Sequence, residues 1–207
     1  MSYLSLIYTV AMINLLGAMS PGPDFVVVVR NSLNHSAKAG ISTGIGVGLG
    51  ILVHISYCAV GIALLISRSE ILFNLIKYLG AAYLAYMGIS ALLSKTAKVD
   101  LSEAAERNVM VPFQAIKTGF LTNLLNPKAT LFILGLFSFV ISPDTPASVI
   151  LTLTMVMVLT AMGWFALVSL FFNYRRIKEF YFRYEIWVNR LFGVLLILLS
   201  LKVALLK

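Results

Sequence analysis

Apolar residues fill this chain in six long runs, and polar residues gather in the gaps between them. The runs are Leu4 to Val29, Ala39 to Ser67, Ile71 to Leu93, Thr118 to Ile141, Ala147 to Phe172 and Trp187 to Leu206. Each is continuous rather than alternating, so membrane barrel strands are not indicated. Each approaches or exceeds the roughly 20 helical residues that cross a hydrocarbon core. The pattern predicts an all-α membrane protein with six transmembrane helices. The sixth run is the weakest, because Arg190 and Lys202 shorten its uncharged centre. Long basic side chains near helix ends reach back to the interface, so it still reads as a span. The first run opens MSYLSLIYTV, without the basic start of a cleaved leader, and reads as an uncleaved span.

Two runs are interrupted. "SPGPD", Ser20 to Asp24, breaks the first, and "NPKA", Asn126 to Ala129, breaks the fourth. Proline inside a helix removes a donor and clashes with the preceding turn, at a cost of about 3 kcal/mol. The freed backbone groups find no partner in lipid, so such a break is tolerable only inside protein or against a wet cavity. A half-helix ending at Ser20 presents free carbonyls, and one starting at Pro23 presents free N–H groups. The halves also match loosely. "NLLGAMSPG" from Asn14 resembles "NLLNPKA" from Asn123, and Lys77 with Gly80 matches Arg190 with Gly193. These matches predict two three-helix repeats, over about 1–93 and 115–207, joined by a linker near 94–114. Three is odd, so the second repeat is expected inverted, with the first and fourth helices Pro-broken. Interrupted spans in corresponding positions of inverted repeats point to a transporter binding site.

Composition agrees with the pattern. Of 207 residues, 60% are hydrophobic and 12% charged, where a soluble domain carries about 25% charge; mean hydropathy is +0.95. The net charge of +8 is distributed unevenly. Loops after the odd-numbered spans, with their flanks, hold eleven Lys and Arg: Arg30, Lys38, Lys95, Lys98, Arg107, Lys117, Arg175, Arg176, Lys178, Arg183 and Arg190. The other side holds four: Arg68, Lys77, Lys202 and Lys207. The positive-inside rule puts the odd loops in the cytoplasm and both termini outside. The positive charge then faces anionic lipid, and no nucleic-acid partner is needed to explain it.

Few side chains carry candidate chemistry. Asp24 and Lys128 are ionisable groups within spans, which usually mark a pathway or relay. They could pair with each other, Lys128 could snorkel to the edge, or a zwitterionic ligand could compete for both. Imidazole ordinarily exchanges protons near neutral pH, which makes His54 a second proton-coupling candidate beside Asp24. Gly40, Gly44 and Gly48 form one stripe and Gly46 and Gly50 another, suited to close packing within the chain or to a homodimer. Tyr78, Tyr83 and Tyr86 suit a cavity wall or an interface anchor. The lone Cys58 reads as a small buried hydrophobe and allows no internal disulfide.

The chain resembles the LysE/RhtB family of bacterial amino-acid exporters. The resemblance rests on SPGPD, the glycine-rich second span, "YLGAAYLAYMG" at 78 to 88 and "GFLTNLLNPKA" at 119 to 129; "MGWFALVSLFF" and "VNRLFGVLL" are similar more loosely. It implies proton-driven efflux of amino acids across the bacterial inner membrane. "SPGPDFVVVV" with "TNLLNPKATLF" looks closest to the threonine and homoserine exporters rather than the lysine exporters. The substrate-binding residues it implies are Ser20, Pro21, Gly22, Pro23, Asp24, Asn123, Asn126, Pro127 and Lys128. No cofactor and no catalytic residue are expected. The alternative is a metal-ion or other small-solute exporter of the same fold class. Metals want clustered Cys, His, Met or carboxylate ligands, and the chain has one Cys and two His. No nucleophile triad, HExxH or nucleotide loop stands out to favour a membrane enzyme.

Overall fold

The computed structural model describes residues 3–68, 70–94, 109–140, 145–172 and 174–205. Residues 95–108, the body of the expected linker with Lys95, Lys98 and Arg107, lie outside the described residues, as does Lys207. The described residues form eight helices: α1 (Tyr3–Met19), α2 (Pro23–Asn34), α3 (Ala37–Arg68), α4 (Glu70–Leu93), α5 (Pro112–Leu124), α6 (Pro127–Val140), α7 (Ala147–Phe171) and α8 (Arg175–Leu205). The order is a broken pair and two long helices, twice over.

Both breaks have a local cause. Residues that precede proline are pushed out of the helical region, which applies to Ser20, Gly22 and Asn126. Gly22 is extended, with φ −174° and ψ −178°, and Pro23 restarts the chain at the first position of α2. Pro127 opens α6 in the same way. There the Asn126 side chain caps the new helix, its Oδ1 accepting from Lys128 N at 3.0 Å. The α1–α2 pair bends by 59° and the α5–α6 pair by 62°.

Three helical segments are long and apolar enough to cross a membrane alone: Ala37–Gly61, Ala147–Phe171 and Arg183–Leu205. Counting each bent pair as one span gives up to five. The weakest sequence expectation, the sixth run, is thus one of the clear spans. Helix α4, with Glu70, Asn74 and Lys77 in its first half, stands outside that count.

Polarity is arranged inside out. Asn14, Asn31, Ser32, Thr43, His54, Asn123 and Asn126 are buried, while Leu151, Leu159 and Leu198 are each more than half exposed. Such a surface is costly in water and suits hydrocarbon. The protein is a multi-pass membrane protein.

Without a hydrophobic drive between helices in lipid, close approach and buried hydrogen bonds hold the bundle together. Both glycine stripes of α3 are used within the chain. A Cβ at Gly40, Gly44 or Gly48 would run into Ser169, Phe165 or Met162 of α7. One at Gly46 or Gly50 would run into the Ile116 carbonyl or Asn123 of α5, and Gly119 of α5 meets the Thr43 carbonyl in return. Gly88 of α4 and Gly193 of α8 meet each other's carbonyls, with built Cβ distances of 2.8 and 2.7 Å. Polar ties reinforce the crossings: Ser32 Oγ donates to Ser169 O at 2.8 Å, and Asn31 Nδ2 to Thr43 Oγ1 at 2.9 Å. Tyr181 of α8 donates its hydroxyl to Met19 O at 2.6 Å, satisfying a carbonyl freed at the end of α1. Its ring stacks on Phe25, with centroids 4.9 Å apart.

Candidate functional site

The two breaks meet. A Cβ built on Gly22 would stand 3.4 Å from Lys128 Nζ, and that Nζ donates to Ser20 Oγ at 3.3 Å. Between them lies a central cavity of about 60 Å³, lined by Ser20, Gly22, Asp24, Asn123, Asn126 and Lys128 on its polar side. Its remaining walls come from α1, α2, α3, α4, α6, α7 and α8, among them Phe25, Ile51, Phe132, Phe165 and Phe192.

Asp24 and Lys128 do not pair. Asp24 Oδ2 accepts from Asn123 Nδ2 at 2.9 Å and from Asn126 Nδ2 at 3.1 Å. The Asn126 amide is therefore used at both ends, holding the carboxylate with its nitrogen and capping α6 with its oxygen. Lys128 turns to Ser20 and lies 5.9 Å from the centroid of the Phe192 ring, which leaves two of its three N–H donors for something else. Two of the lining residues keep an acceptor without a partner: Asp24 Oδ1 and Asn123 Oδ1 are buried and unsatisfied, the latter packed against Gly50 of α3. Such a group costs about 1–3 kcal/mol, and more when charged.

His54 is tied to this group through the backbone. Its Nε2 lies 3.0 Å from Asn123 O. A carbonyl oxygen only accepts, so Nε2 carries the hydrogen, which leaves Nδ1 to face other partners. The Tyr57 hydroxyl is its close partner, with Thr130 Oγ1 at 3.5 Å. His54 fixes the end of α5 from which Asn123 reaches Asp24.

The expected site residues divide by position. Ser20, Gly22, Asp24, Asn123, Asn126 and Lys128 converge on the cavity. Pro21 lines a second, larger cavity of about 360 Å³, with Tyr83, Tyr86, Ser90, Ser94 and Asn189. Ser20, Met87, Lys128 and Phe192 belong to both walls, so this vestibule adjoins the central cavity. Pro23 and Pro127 face outward as first residues of α2 and α6 and do not line the central cavity. Tyr78 is exposed beside Lys77 and lines neither cavity. Cys58 is buried and unpaired.

A family profile described as LysE type translocator matches residues 15–207. The chain belongs to the LysE type translocator family. Among relatives of this translocator, a threonine efflux protein of Salmonella typhi is 28% identical over 193 residues, covering 93% of this chain and 94% of the relative. The threonine efflux protein of Escherichia coli (strain K12) is similar at the same identity and coverage. A leucine efflux protein of Salmonella choleraesuis (strain SC-B67) is 37% identical over 129 residues, 61% of this chain and 58% of the relative. No solved structure matches the translocator significantly.

Sequence reasoning missed several parts of the site. The aromatic walls from Phe25, Phe132, Phe165 and Phe192 stand in apolar runs, with nothing in the sequence to set them apart from lipid-facing residues. Tyr57 had a readable signal, since it stands three residues after His54 on one helix face. Thr130 had one too, four residues after Asn126, whose carbonyl its hydroxyl meets at 3.3 Å.

Proposed function

We propose that this translocator exports a neutral amino acid, held as a zwitterion between the two breaks and exchanged against protons. One observation carries the reading. Asp24 and Asn123, each with a buried acceptor left without a partner, line one cavity with a lysine that has donors to spare. An ammonium brings three N–H donors and a positive charge, which suits the acceptor pair. A carboxylate suits Lys128 and the start of α2, where Gly22 offers no side-chain cap. The names of the threonine and leucine efflux relatives support an amino-acid substrate.

The architecture we infer is six spans in two inverted three-helix units, with α4 as the span between α3 and the linker. The doubled order of elements supports it. So do the nearly equal bends and the reciprocal approach of Gly88 and Gly193. The eleven-to-four basic bias supports a cytoplasmic linker and outer termini. The vestibule, walled by Ser90 in the last turn of α4 and Ser94 just past its end, is then the loading side.

Coupling follows from competition at one carboxylate. A substrate ammonium from the cytoplasm favours ionised Asp24 and expels a proton. A proton from outside weakens the hold on the ammonium and releases it. Only differential binding between inward and outward states is required. Asp24→Asn mimics the protonated form, so pH-gradient-driven flux of labelled amino acids in proteoliposomes should vanish, while Asp24→Glu retains part. Full gradient-dependent flux in Asp24→Asn would remove Asp24 from the mechanism and leave SPGPD a structural break.

A further inference from the structure

The zwitterion engages one side of the central cavity, so the substrate's own side chain must lie against the rest. That remainder is almost entirely carbon, from Gly17, Val47, Ile51, Phe132, Phe165 and their neighbours. The exception is Asn14 of α1, a buried amide in the same wall.

The orientation of this amide is fixed by its surroundings. Asn14 Nδ2 donates to Met157 O at 2.9 Å and to Thr160 Oγ1 at 2.8 Å. Met157 O only accepts. Thr160 spends its own hydroxyl hydrogen on α7, with Val156 O at 2.7 Å, so toward Asn14 it also accepts. Turning the amide over would set oxygen against two acceptors. Both N–H groups therefore go to α7, and what Asn14 has left to offer a ligand is Oδ1, an acceptor alone.

We propose that Asn14 is a specificity-determining residue, whose Oδ1 accepts a hydrogen bond from a hydroxyl on the substrate side chain. The inference rests on the zwitterion reading above and narrows it to hydroxylated aliphatic amino acids. A purely aliphatic side chain of equal size fills the same space but leaves the oxygen without a donor. A second ammonium, as in lysine, meets one neutral oxygen and no spare carboxylate, so cationic amino acids are rejected more strongly.

Threonine and valine are near-isosteric and differ by the hydroxyl, so they make the test. In proteoliposomes of the full-length protein, labelled threonine should be carried in preference to valine by about 2- to 10-fold, the worth of one net neutral hydrogen bond. Asn14→Leu should lose that preference while still carrying valine. Asn14→Thr is the milder variant if the leucine protein fails to fold, because its hydroxyl can turn back onto its own helix as Thr9 does onto Ser5 O; it should lose the preference as well. Asp24-dependent transport that does not distinguish threonine from valine, or an Asn14 variant that discriminates as well as wild type, overturns this inference and spares the zwitterion reading. Absence of any Asp24-dependent amino-acid flux overturns both.

Discussion

Gly50 stands where α3 crosses α5 against the site, and Gly50→Ala tests whether packing there sets the binding geometry. A Cβ at residue 50 would lie 2.5 Å from Asn123 Oδ1, 2.9 Å from its Cβ and 3.0 Å from its Cγ. Non-bonded carbon contacts settle near 3.5–4.0 Å, so Asn123 must retreat by roughly 0.5–1 Å. Its retreat pulls on the 2.9 Å bond to Asp24 and on the His54 contact at its carbonyl. Overpacking of this kind costs about 1–3 kcal/mol, and the gain in helix propensity from Gly to Ala returns up to about 1 kcal/mol. The fold should therefore survive with a modest loss of stability. The larger effect falls on the ligand. A displaced Asn123 Oδ1 forfeits one hydrogen bond to a charged group, about 1.5–3 kcal/mol, which raises the apparent KM by roughly 10- to 150-fold. Gly61→Ala is the control, since a Cβ there meets nothing within 4 Å. Thermal melting in detergent reports the fold, and concentration-dependent counterflow in proteoliposomes reports KM. A folded Gly50→Ala protein with KM within about twofold of wild type would refute the reasoning, because one tenfold step is about 1.4 kcal/mol.

Three shorter predictions follow from other contacts. Tyr181→Phe removes the 2.6 Å bond to Met19 O and strands a carbonyl at the α1 break, so unfolding in detergent should become easier by about 1–3 kcal/mol; an unchanged melting curve would mean that water replaces the hydroxyl. His54→Ala loosens the Asn123 carbonyl but leaves Asp24 intact, so it should lower gradient-driven flux less than Asp24→Asn does; equal abolition would move proton carriage to His54. Ser94→Cys, in a protein whose single native cysteine is buried, should react with an impermeant maleimide in inverted vesicles and not in intact cells; labelling from outside would reverse the proposed orientation.

The breaks and the long helices were legible because they depend on neighbours in sequence. Pro21, Pro23 and Pro127 act on their own turns, and apolar runs of span length declare themselves without a partner. The residues that converge on the cavity were legible for the same reason, as the polar content of the two interrupted runs. Partner choice was not. The sequence offered Asp24 and Lys128 as natural mates by charge. Instead Asn123 in the last turn of α5 and Asn126 in the break after it reach the carboxylate, while Lys128 on α6 turns to Ser20. Small residues showed that α3 has two closely packed faces, but not that one meets α7 and the other α5. The role of Asn14 needs Met157 and Thr160, more than 140 positions away, before its free end can be identified.

The neck between the two cavities has a pharmacological consequence. Ser20, Met87, Lys128 and Phe192 wall both the 60 Å³ chamber and the 360 Å³ vestibule. A molecule too bulky for the chamber but sized for the vestibule would plug the route without competing for Asp24. Its grip would come from the Tyr83 and Tyr86 rings and an anionic group on Lys128, so substrate analogues need not be the starting point for a blocker. Such a plug would lower the maximal rate at every substrate concentration, whereas a zwitterion mimic lodged at Asp24 would be outcompeted by more substrate.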